Sequence, residues 1–149
     1  MKPPKVVKKT RKKKTSNKRW KDKAWKIFSA YIRTRDCLKT TGTTDEGICY
    51  TCGKKLPFKQ LQCGHCISGR GNYILLNEDC VKAQCMGCNV FNKGNYDIFI
   101  PKIIREHSLA WFEKHKRLSK IPFKRNWEEE YIKYRDKYEK LVSSKNLPF

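Results

Sequence analysis

The chain has 149 residues, which is enough for one domain with extensions. It carries 35 Lys and Arg residues against 14 Asp and Glu residues, and its formal net charge of +21 predicts a polyanionic partner, most simply nucleic acid. The sequence shows neither an apolar run of membrane-spanning length nor a signal peptide, so we expect a cytoplasmic protein without a membrane partner. In a reducing compartment, eight cysteines with C-x2-C spacing favour metal binding over disulfides.

Residues 1–19 form a basic segment with very few apolar side chains. Because like charges repel, we expect a disordered tail that binds DNA phosphates, with Lys12, Lys13 and Lys14 at its centre. A solubilising tail or a nuclear localisation signal would have a similar composition, and composition alone does not separate these alternatives.

Residues 20–46 are predicted to form a helix followed by a loop. Trp25, Phe28 and Ile32 recur at helical spacing within residues 20–36, while Lys and Arg residues occupy other positions. The apolar stripe should pack on the rest of the domain, and the basic residues either line a DNA strand or form a solvated face. Residues 37–46 are rich in Thr, which together with Gly42 is typical of a loop.

Residues 47–95 contain the cysteine-rich core. The pairs Cys49/Cys52 and Cys85/Cys88 are assigned to one structural zinc ion, because each C-x2-C pair can supply two ligands of a tetrahedral site. Gly53 follows the first pair, where a tight turn needs the conformational freedom of glycine. The zinc ion would tie two distant segments together and fix the residues that lie between them.

A third pair, Cys63/Cys66, has three possible roles. Together with Gly64 and His65 it matches the redox motif of disulfide isomerases, but that motif requires a thioredoxin-like context that the neighbouring sequence lacks. A second zinc ion bound by this pair and Cys80 would need a fourth ligand. Otherwise these cysteines are small buried thiols.

His65 lies between the two zinc-binding pairs, and Asn89 immediately follows the last zinc cysteine, so we expect the zinc ion to hold them opposite one another. A neutral histidine can activate water for phosphodiester hydrolysis, and an asparagine carbonyl is a suitable ligand for Mg2+. Alternatively, His65 is structural or completes a second zinc site, and Asn89 caps a helix. Lys93 and Arg70 are predicted to contact phosphates.

Residues 96–149 are predicted to be largely helical. Pro101 should interrupt the first segment, and Ser108 can cap a second helix. The last helix has the clearest signal, because Asn126 and Glu129 form a capping box ahead of an aromatic stripe. That stripe packs in the core of the domain or contributes to the interface of a homodimer.

At these positions the chain resembles the HNH, or ββα-metal, endonucleases, and most of all the phage NinG (Rap) recombination proteins. The similarity begins at Tyr31-Ile32-Arg33-Thr34-Arg35-Asp36 and extends weakly into the last helix. Its most specific part combines Gly64-His65 with Gln84-Cys85-x2-Cys88-Asn89-x3-Lys93-Gly94-Asn95. The cysteine pairs alone are common to many zinc proteins.

The resemblance implies an α+β fold, in which a small zinc-bound ββα-metal (HNH-like) core over residues 47–95 is flanked by N-terminal and C-terminal helices. It implies a metal-dependent DNA endonuclease that cleaves branched recombination intermediates such as Holliday junctions and D-loops. A β-hairpin would carry His65 as the general base, Asn89 would bind a catalytic Mg2+ or Mn2+ ion, and the four cysteines would hold Zn2+. A phage-encoded enzyme would act in the cytoplasm of the bacterial host.

Two positions depart from the HNH pattern. Gly64 stands where many HNH enzymes have an acidic or histidine metal ligand. Side chains that could take over this role are Asp79, Glu78, Asp45 and Asn92. Cys80 stands where an asparagine usually braces the histidine loop, and Asn77 is a candidate substitute.

Two other functions are compatible with parts of the sequence. A non-enzymatic zinc-containing protein that binds nucleic acid would keep the charge and the four cysteines but would not need His65. A redox protein using Cys63 and Cys66 would act without Mg2+. Symmetric cleavage of a junction, by contrast, usually calls for two active sites and therefore for a homodimer.

Overall fold

The computed structural model of the chain describes residues 15–69 and 71–144. Residues 1–14 of the predicted basic tail lie outside these ranges. The predicted phosphate contacts that also lie outside them are Lys12, Lys13, Lys14 and Arg70. Within the described residues, no helix is long and apolar enough to cross a membrane.

The described chain is an α+β arrangement of five helices and four short strands. The helices are α1 (Ser16–Thr41), α2 (Asn72–Leu75), α3 (Tyr96–Glu106), α4 (Leu109–Leu118) and α5 (Trp127–Ser143). The strands are β1 (Glu46–Ile48), β2 (Lys55–Pro57), β3 (Leu61–His65) and β4 (Val81–Cys85). A 3-10 turn at Phe58–Gln60 precedes β3, and a π-helical turn at Gly87–Phe91 follows β4.

Helix α1 is longer at both ends than the sequence predicts. It begins at Ser16 because the Thr15 side chain accepts a hydrogen bond from the backbone N–H of Lys18, at 3.3 Å. It extends to Thr41, where the Thr41 hydroxyl donates to the carbonyl of Cys37 at 2.9 Å. Gly42 then ends the helix in the left-handed conformation, with φ 74°. Residues 16–19 therefore belong to a helix, and residues 37–41 are not a loop.

The strands form two antiparallel hairpins. Strand β1 pairs with β2, and the first cysteine pair lies in the connection between them. Strand β3 pairs with β4 so that His65 stands opposite Val81 and Leu61 stands opposite Cys85. The second hairpin therefore carries His65 at the end of one strand and a zinc-site cysteine at the end of the other.

Helix α1 fixes the position of β4 through two adjacent charged side chains. The Arg35 guanidinium donates to the carbonyls of Glu78 and Val81 at 3.0 and 2.9 Å. The Asp36 carboxylate accepts from the backbone N–H of Ala83 at 2.7 Å and from Arg35 at 2.8 Å. These bonds satisfy the outer edge of a two-stranded ribbon that would otherwise expose its backbone polar groups.

Helices α1 and α5 form the main hydrophobic core. Phe28 of α1 meets Tyr134 of α5 edge to face, with the ring centroids 4.8 Å apart. Trp127 and Val81 are buried in the same cluster. The aromatic stripe of α5 thus packs within the monomer, and the side chain of Asn126 caps the helix by accepting from the N–H of Glu129 at 3.3 Å, as the sequence predicts.

Helices α3 and α4 form a second cluster with the loop that joins β3 to β4. Phe99, Ile103 and Phe112 are buried there against Ile74. The sequence prediction that Pro101 interrupts this region is wrong, because α3 continues through it. Pro101 is in the middle of the helix and lacks a backbone N–H, so the helix forgoes the one hydrogen bond to the Asp97 carbonyl. Ser108 caps α4, as predicted, by accepting from the N–H of Trp111 at 3.0 Å.

Candidate metal centre and its surroundings

Four cysteines come together at one end of the two hairpins. Their sulfur atoms all lie within 4.8 Å of one another, and the Sγ atoms of Cys52 and Cys85 are 3.7 Å apart. In a tetrahedral zinc site with Zn–S bonds of about 2.3 Å, the sulfur atoms are about 3.8 Å apart. The cluster of Cys49, Cys52, Cys85 and Cys88 therefore fits a structural metal ion such as zinc, at the residues that the sequence predicts.

Local hydrogen bonds favour a thiolate at one of these cysteines. Burial alone would raise the pKa of Cys49, but the backbone N–H of Cys52 and the hydroxyl of Thr51 stabilise the thiolate and lower its pKa to about 6. Burial raises the pKa of Cys52 and of Cys85, although the backbone N–H of Cys88 donates to the Cys85 sulfur at 3.4 Å. Because metal ligation requires deprotonated sulfur, a bound cation would supply the stabilisation that these two thiolates need.

The segment after the last cysteine supports the metal centre from outside. Lys93, Gly94 and Asn95 are three consecutive residues with positive φ, at 50°, 99° and 51°. This turn lets the backbone N–H of Gly94 bond to the carbonyl of Cys88 at 2.9 Å and the Asn95 amide donate to the Cys88 sulfur at 3.4 Å. Hydrogen bonds to the ligand atoms orient them and tune the metal. Gly94 and Asn95 thus have a structural role beside the cysteines.

The remaining cysteines of the core do not form a second metal site. The Cys63 sulfur lies 3.4 Å from the Ser29 hydroxyl on α1, whereas Cys66 and Cys80 are buried in the α3–α4 cluster. Within residues 15–69 and 71–144, the four zinc-site cysteines are the one group of three or more His, Cys, Asp or Glu side chains that could hold a metal ion. A second zinc ion at Cys63, Cys66 and Cys80 is therefore not supported.

The redox hypothesis for Cys63/Cys66 also finds no support in the geometry. Burial raises the pKa of Cys63 to about 11, and Cys63 and Cys66 belong to different hydrophobic clusters. A reactive redox cysteine needs a lowered pKa and a resolving cysteine close by. The environment of Cys63 is instead that of a buried structural thiol.

His65 is held firmly against α1. Its ring stacks on Trp25, with centroids 5.6 Å apart and an interplanar angle of 21°, and only 8% of the residue is exposed. Its Nε2 lies 3.2 Å from the carbonyl oxygen of Leu75. Because a carbonyl oxygen can only accept, Nε2 carries the proton, and in the neutral ring Nδ1 is then the basic nitrogen.

Asn89 lies in the π-helical turn rather than at the start of a helix. Its amide nitrogen donates to the side-chain oxygen of Gln62 on β3, at 2.9 Å. This bond orients the Asn89 side chain through its amide nitrogen. The Oδ1 atom of the amide is a neutral oxygen of the kind that can act as a metal ligand. A role as an N-terminal helix cap, one alternative suggested by the sequence, does not apply, since the π-helical turn begins at Gly87.

His65 and Asn89 lie on opposite faces of β3. Alternate residues of a strand face opposite sides, and Cys63 and His65 both contact α1. Gln62 faces the other way, towards Asn89. Strand alternation thus directs the two side chains to different sides of β3, whereas the sequence predicts that the zinc ion holds His65 and Asn89 opposite one another.

Gln84 fills the space beside Gly64. Gln84 is fully buried, and its amide nitrogen donates to the Thr51 hydroxyl and to the Gly94 carbonyl, both at 3.0 Å. Its amide oxygen has no hydrogen-bond partner among the described residues and points at Gly64, where a Cβ atom would stand 1.7 Å from it. A metal-binding side chain at position 64 would therefore require Gln84 to move.

Glu78, one of the candidate replacements for a ligand at position 64, has other contacts, as does Asn77, the candidate brace. Glu78 is paired with Lys137 and accepts from the Tyr31 hydroxyl at 3.2 Å. The Asn77 side chain accepts from the backbone N–H of Asp79 at 3.2 Å, which closes a local turn. The loop after β3 is held by backbone bonds, because the N–H of Cys66 donates to the carbonyl of Cys80 at 2.8 Å. Cys80 thus contributes to this loop through its backbone carbonyl.

The surroundings of the metal centre include residues that motif analysis misses. Trp25 positions His65, and Gln84 positions the metal centre. In the sequence, Trp25 is only part of an apolar stripe, and Gln84 is only one position within a motif. Lys82 is buried on β4 beside Tyr50 and Glu106, although lysine is rarely buried. The one signal in the sequence for this role was a charged residue between the apolar residues Val81 and Ala83.

The family model described as "Bacteriophage Lambda NinG protein" matches residues 2–146 of the chain. No curated protein and no solved structure matches the chain. The match covers nearly the whole chain, including the hairpins, the metal centre and all five helices.

Proposed function

The chain belongs to the family of the bacteriophage lambda NinG protein, and we propose that it is a metal-dependent, structure-selective DNA endonuclease. The proposed substrates are branched recombination intermediates such as Holliday junctions and D-loops, and the proposed core is of the HNH type. One observation carries this proposal. His65 is oriented by two contacts at the end of a hairpin whose other strand leads directly into the metal centre and Asn89.

In this proposal His65 is the general base. Trp25 holds its ring by stacking, and the Leu75 carbonyl holds the proton on Nε2. The lone pair of Nδ1 is then the group that removes a proton from the attacking water, and orientation of a base by a third group is a common feature of such sites. The low exposure of His65 protects it from bulk water, so the DNA and a local opening must bring the attacking water to it.

Asn89 is the proposed protein ligand of a catalytic Mg2+ or Mn2+ ion. An amide oxygen is a donor that hard cations accept, and Mg2+ usually keeps several water ligands and binds phosphate oxygens of its substrate. One protein donor therefore fits a weakly held ion whose remaining ligands come from DNA and water. When bound, the ion would neutralise charge on the scissile phosphate. The zinc in the four-cysteine site would have no part in the chemistry.

The surface around Asn89 suits branched DNA. Phe91, two residues away, is 77% exposed, and its neighbour Val90 is exposed as well. An exposed aromatic ring can stack on a base that is unpaired or at the end of a helix, as bases are at a branch point. Lys93 is exposed on the same segment and can contact a phosphate. Arg70 and Lys12, Lys13 and Lys14 are proposed as further phosphate contacts.

A second candidate function is a non-enzymatic zinc protein that binds nucleic acid. It is favoured by the separation of His65 and Asn89 on opposite faces of β3 and by the burial of His65 against Trp25. In that case His65 would stabilise the hairpin on α1. The basic surface, the metal centre and Phe91 would keep their proposed roles in binding.

A cleavage assay separates the two functions. Zinc-loaded protein is incubated with a four-way junction, a D-loop and a linear duplex of the same sequence, with Mg2+, with Mn2+ or without added divalent ion. The endonuclease proposal predicts cleavage of the branched substrates only with added ion, and reduced cleavage by Asn89→Ala. Tight binding without cleavage under every condition would instead favour the non-enzymatic function. Sedimentation of the protein with and without junction tests the proposed homodimer.

A further inference from the structure

A basic pocket lies beside the metal centre, and Cys49 and Cys52 are part of its lining. It has a volume of about 450 Å3 and lies among the C-terminal part of α1, the β1–β2 connection, β4 and α3. The side chains that carry its charge and its single aromatic ring are Asp36, Lys39, Tyr50, Lys82, Lys102 and Glu106. We refer to it as the Tyr50 pocket.

Tyr50 organises the lysines of this pocket. The Lys102 and Lys82 ammonium groups lie 4.1 and 5.4 Å from the centroid of the Tyr50 ring, within the range of cation–π attraction. Lys102 also donates to the backbone carbonyl of Tyr50. Tyr50 itself is fixed, because its N–H bonds to the carbonyl of Ala83 at 2.9 Å and its hydroxyl donates to Glu106 at 2.8 Å.

The carboxylates of the pocket do not balance its ammonium groups. Asp36 is already engaged by Arg35 and by a backbone N–H, so it is not available to the lysines. Glu106 is paired with Lys82, at 3.3 Å. Burial alone would raise the pKa of Glu106, but the Tyr50 hydroxyl and the Lys82 charge lower it, so the carboxylate stays ionised.

The lysines therefore leave an excess of positive charge inside a concave site. Lys82 is only 9% exposed, and a buried ammonium group with a single carboxylate partner is stabilised further by an anion. Lys39 is exposed at the mouth of the pocket, and Lys102 is half-buried on its wall. A tetrahedral oxyanion is the ligand that three converging ammonium groups match best.

We propose that the Tyr50 pocket binds a phosphate group carried by nucleic acid. The proposal rests on the proposed function in one respect, namely that DNA is the partner. Tyr50 lies between Cys49 and Cys52, so the metal centre fixes the position of the bound phosphate relative to the β3–β4 hairpin. The pocket reads no base, and its role is to position a strand. The phosphate comes from a strand terminus or from an internal phosphodiester.

The test measures DNA affinity rather than cleavage. The variants are Lys39→Gln, Lys102→Gln and the double variant, and the matched control is Lys59→Gln, which removes the same charge from an exposed position outside the pocket. Fluorescence anisotropy at fixed ionic strength gives Kd for a labelled single strand with a 5′-phosphate and for the same strand with a 5′-hydroxyl. Zinc content and circular dichroism show that each variant is folded.

Because the double variant removes two charges, its matched control is Lys59→Gln/Lys114→Gln, which removes two charges from exposed positions outside the pocket. The double variant should lose about tenfold in affinity relative to this double control, since each lost charge-assisted contact weakens binding several-fold. If the 5′-phosphate strand binds wild type more tightly and the double variant abolishes that preference, the source is a terminal phosphate. If both strands lose equally, the source is an internal phosphodiester. A double variant that equals the double control for both strands overturns the proposal. None of these outcomes depends on cleavage. A protein that cleaves no DNA but shows the tenfold loss would contradict the proposed endonuclease activity and support phosphate binding in the Tyr50 pocket.

Discussion

The side-chain oxygen of Gln84 faces Gly64 so closely that a Cβ atom at position 64 would stand 1.7 Å from it. Gln84 cannot easily turn away, because its amide nitrogen joins the Thr51 hydroxyl to the Gly94 carbonyl. The glycine in front of the proposed general base is thus explained by packing. The same contact links the first cysteine pair, the second hairpin and the turn after the last cysteine.

Gly64→Ala should therefore destabilise the protein. Overpacking of a filled interior costs about 1–3 kcal/mol, and the buried Gln84 side chain has little room to relax. Urea unfolding of the zinc-loaded protein measures the loss. Gly87→Ala is the matched control, because a Cβ there would meet its nearest atom at an ordinary 3.7 Å. Equal stability of Gly64→Ala and Gly87→Ala would show that the Gln84 contact is not as close as described.

Asn95→Gly should weaken zinc binding without removing a ligand. The Asn95 amide donates to the Cys88 sulfur, and loss of such an outer contact typically costs about 10-fold or more in metal affinity. Glycine is the appropriate replacement, since φ at this position is 51°. Competition with a chromophoric chelator measures the affinity. Asn92→Ala, an exposed asparagine nearby, should leave it unchanged, and an equal loss in both variants would contradict the assigned role.

Glu78→Gln should remove part of the acid sensitivity of the fold. Burial would raise the pKa of Glu78, but Lys137 and the Tyr31 hydroxyl lower it below the ordinary value of 4.5. A carboxylate with a lowered pKa stabilises the folded state above its unfolded pKa, and that stability is lost as the pH falls below about 4.5. The stability difference between wild type and Glu78→Gln should thus shrink from pH 7 to pH 4. A stability difference between wild type and Glu78→Gln that stays constant from pH 7 to pH 4 would contradict this role of Glu78.

The sequence predicted the metal centre because C-x2-C spacing is itself the chemical requirement of a tetrahedral site. It did not predict the full length of α1, since the Thr15 cap and the Thr41 back-bond depend on single hydroxyl groups within basic or Thr-rich segments. The continuous α3 was missed because Pro101 falls where one lost hydrogen bond is tolerated. The sequence also did not predict that His65 and Asn89 lie on different sides of β3, because their order along the chain says nothing about strand alternation.

The Tyr50 pocket illustrates the same limit. Lys39, Lys82 and Lys102 come from three different elements, and in a chain with 35 basic residues no local pattern distinguishes them. Only the packing of α1, β4, the β1–β2 connection and α3 brings the three lysines to one pocket. Long-range convergence of this kind is determined by tertiary structure, not by the spacing of residues.

Phe91→Ala should reduce the preference for branched DNA over duplex DNA. The ring is 77% exposed beside Asn89, so its truncation removes a stacking contact, worth about 1–3 kcal/mol per base, without affecting the core. Junction and duplex affinities, together with 2-aminopurine fluorescence at the branch, measure the effect. Leu109→Ala, which truncates a side chain that is 56% exposed on α4, is the control. A parallel loss of junction and duplex affinity would exclude a branch-specific role for Phe91.

The central claim is that His65 performs proton transfer, and His65→Gln tests it most directly. The glutamine amide can still donate to the Leu75 carbonyl, but it cannot act as a base at neutral pH. Single-turnover cleavage of a four-way junction with Mg2+ is compared for wild type, His65→Gln and the exposed control His107→Gln, with junction affinity measured in parallel. If His65 performs the proton transfer, His65→Gln should cleave the junction at least about 100-fold more slowly at unchanged junction affinity, and His107→Gln should cleave at the wild-type rate. Cleavage by His65→Gln at the wild-type rate would contradict this role of His65.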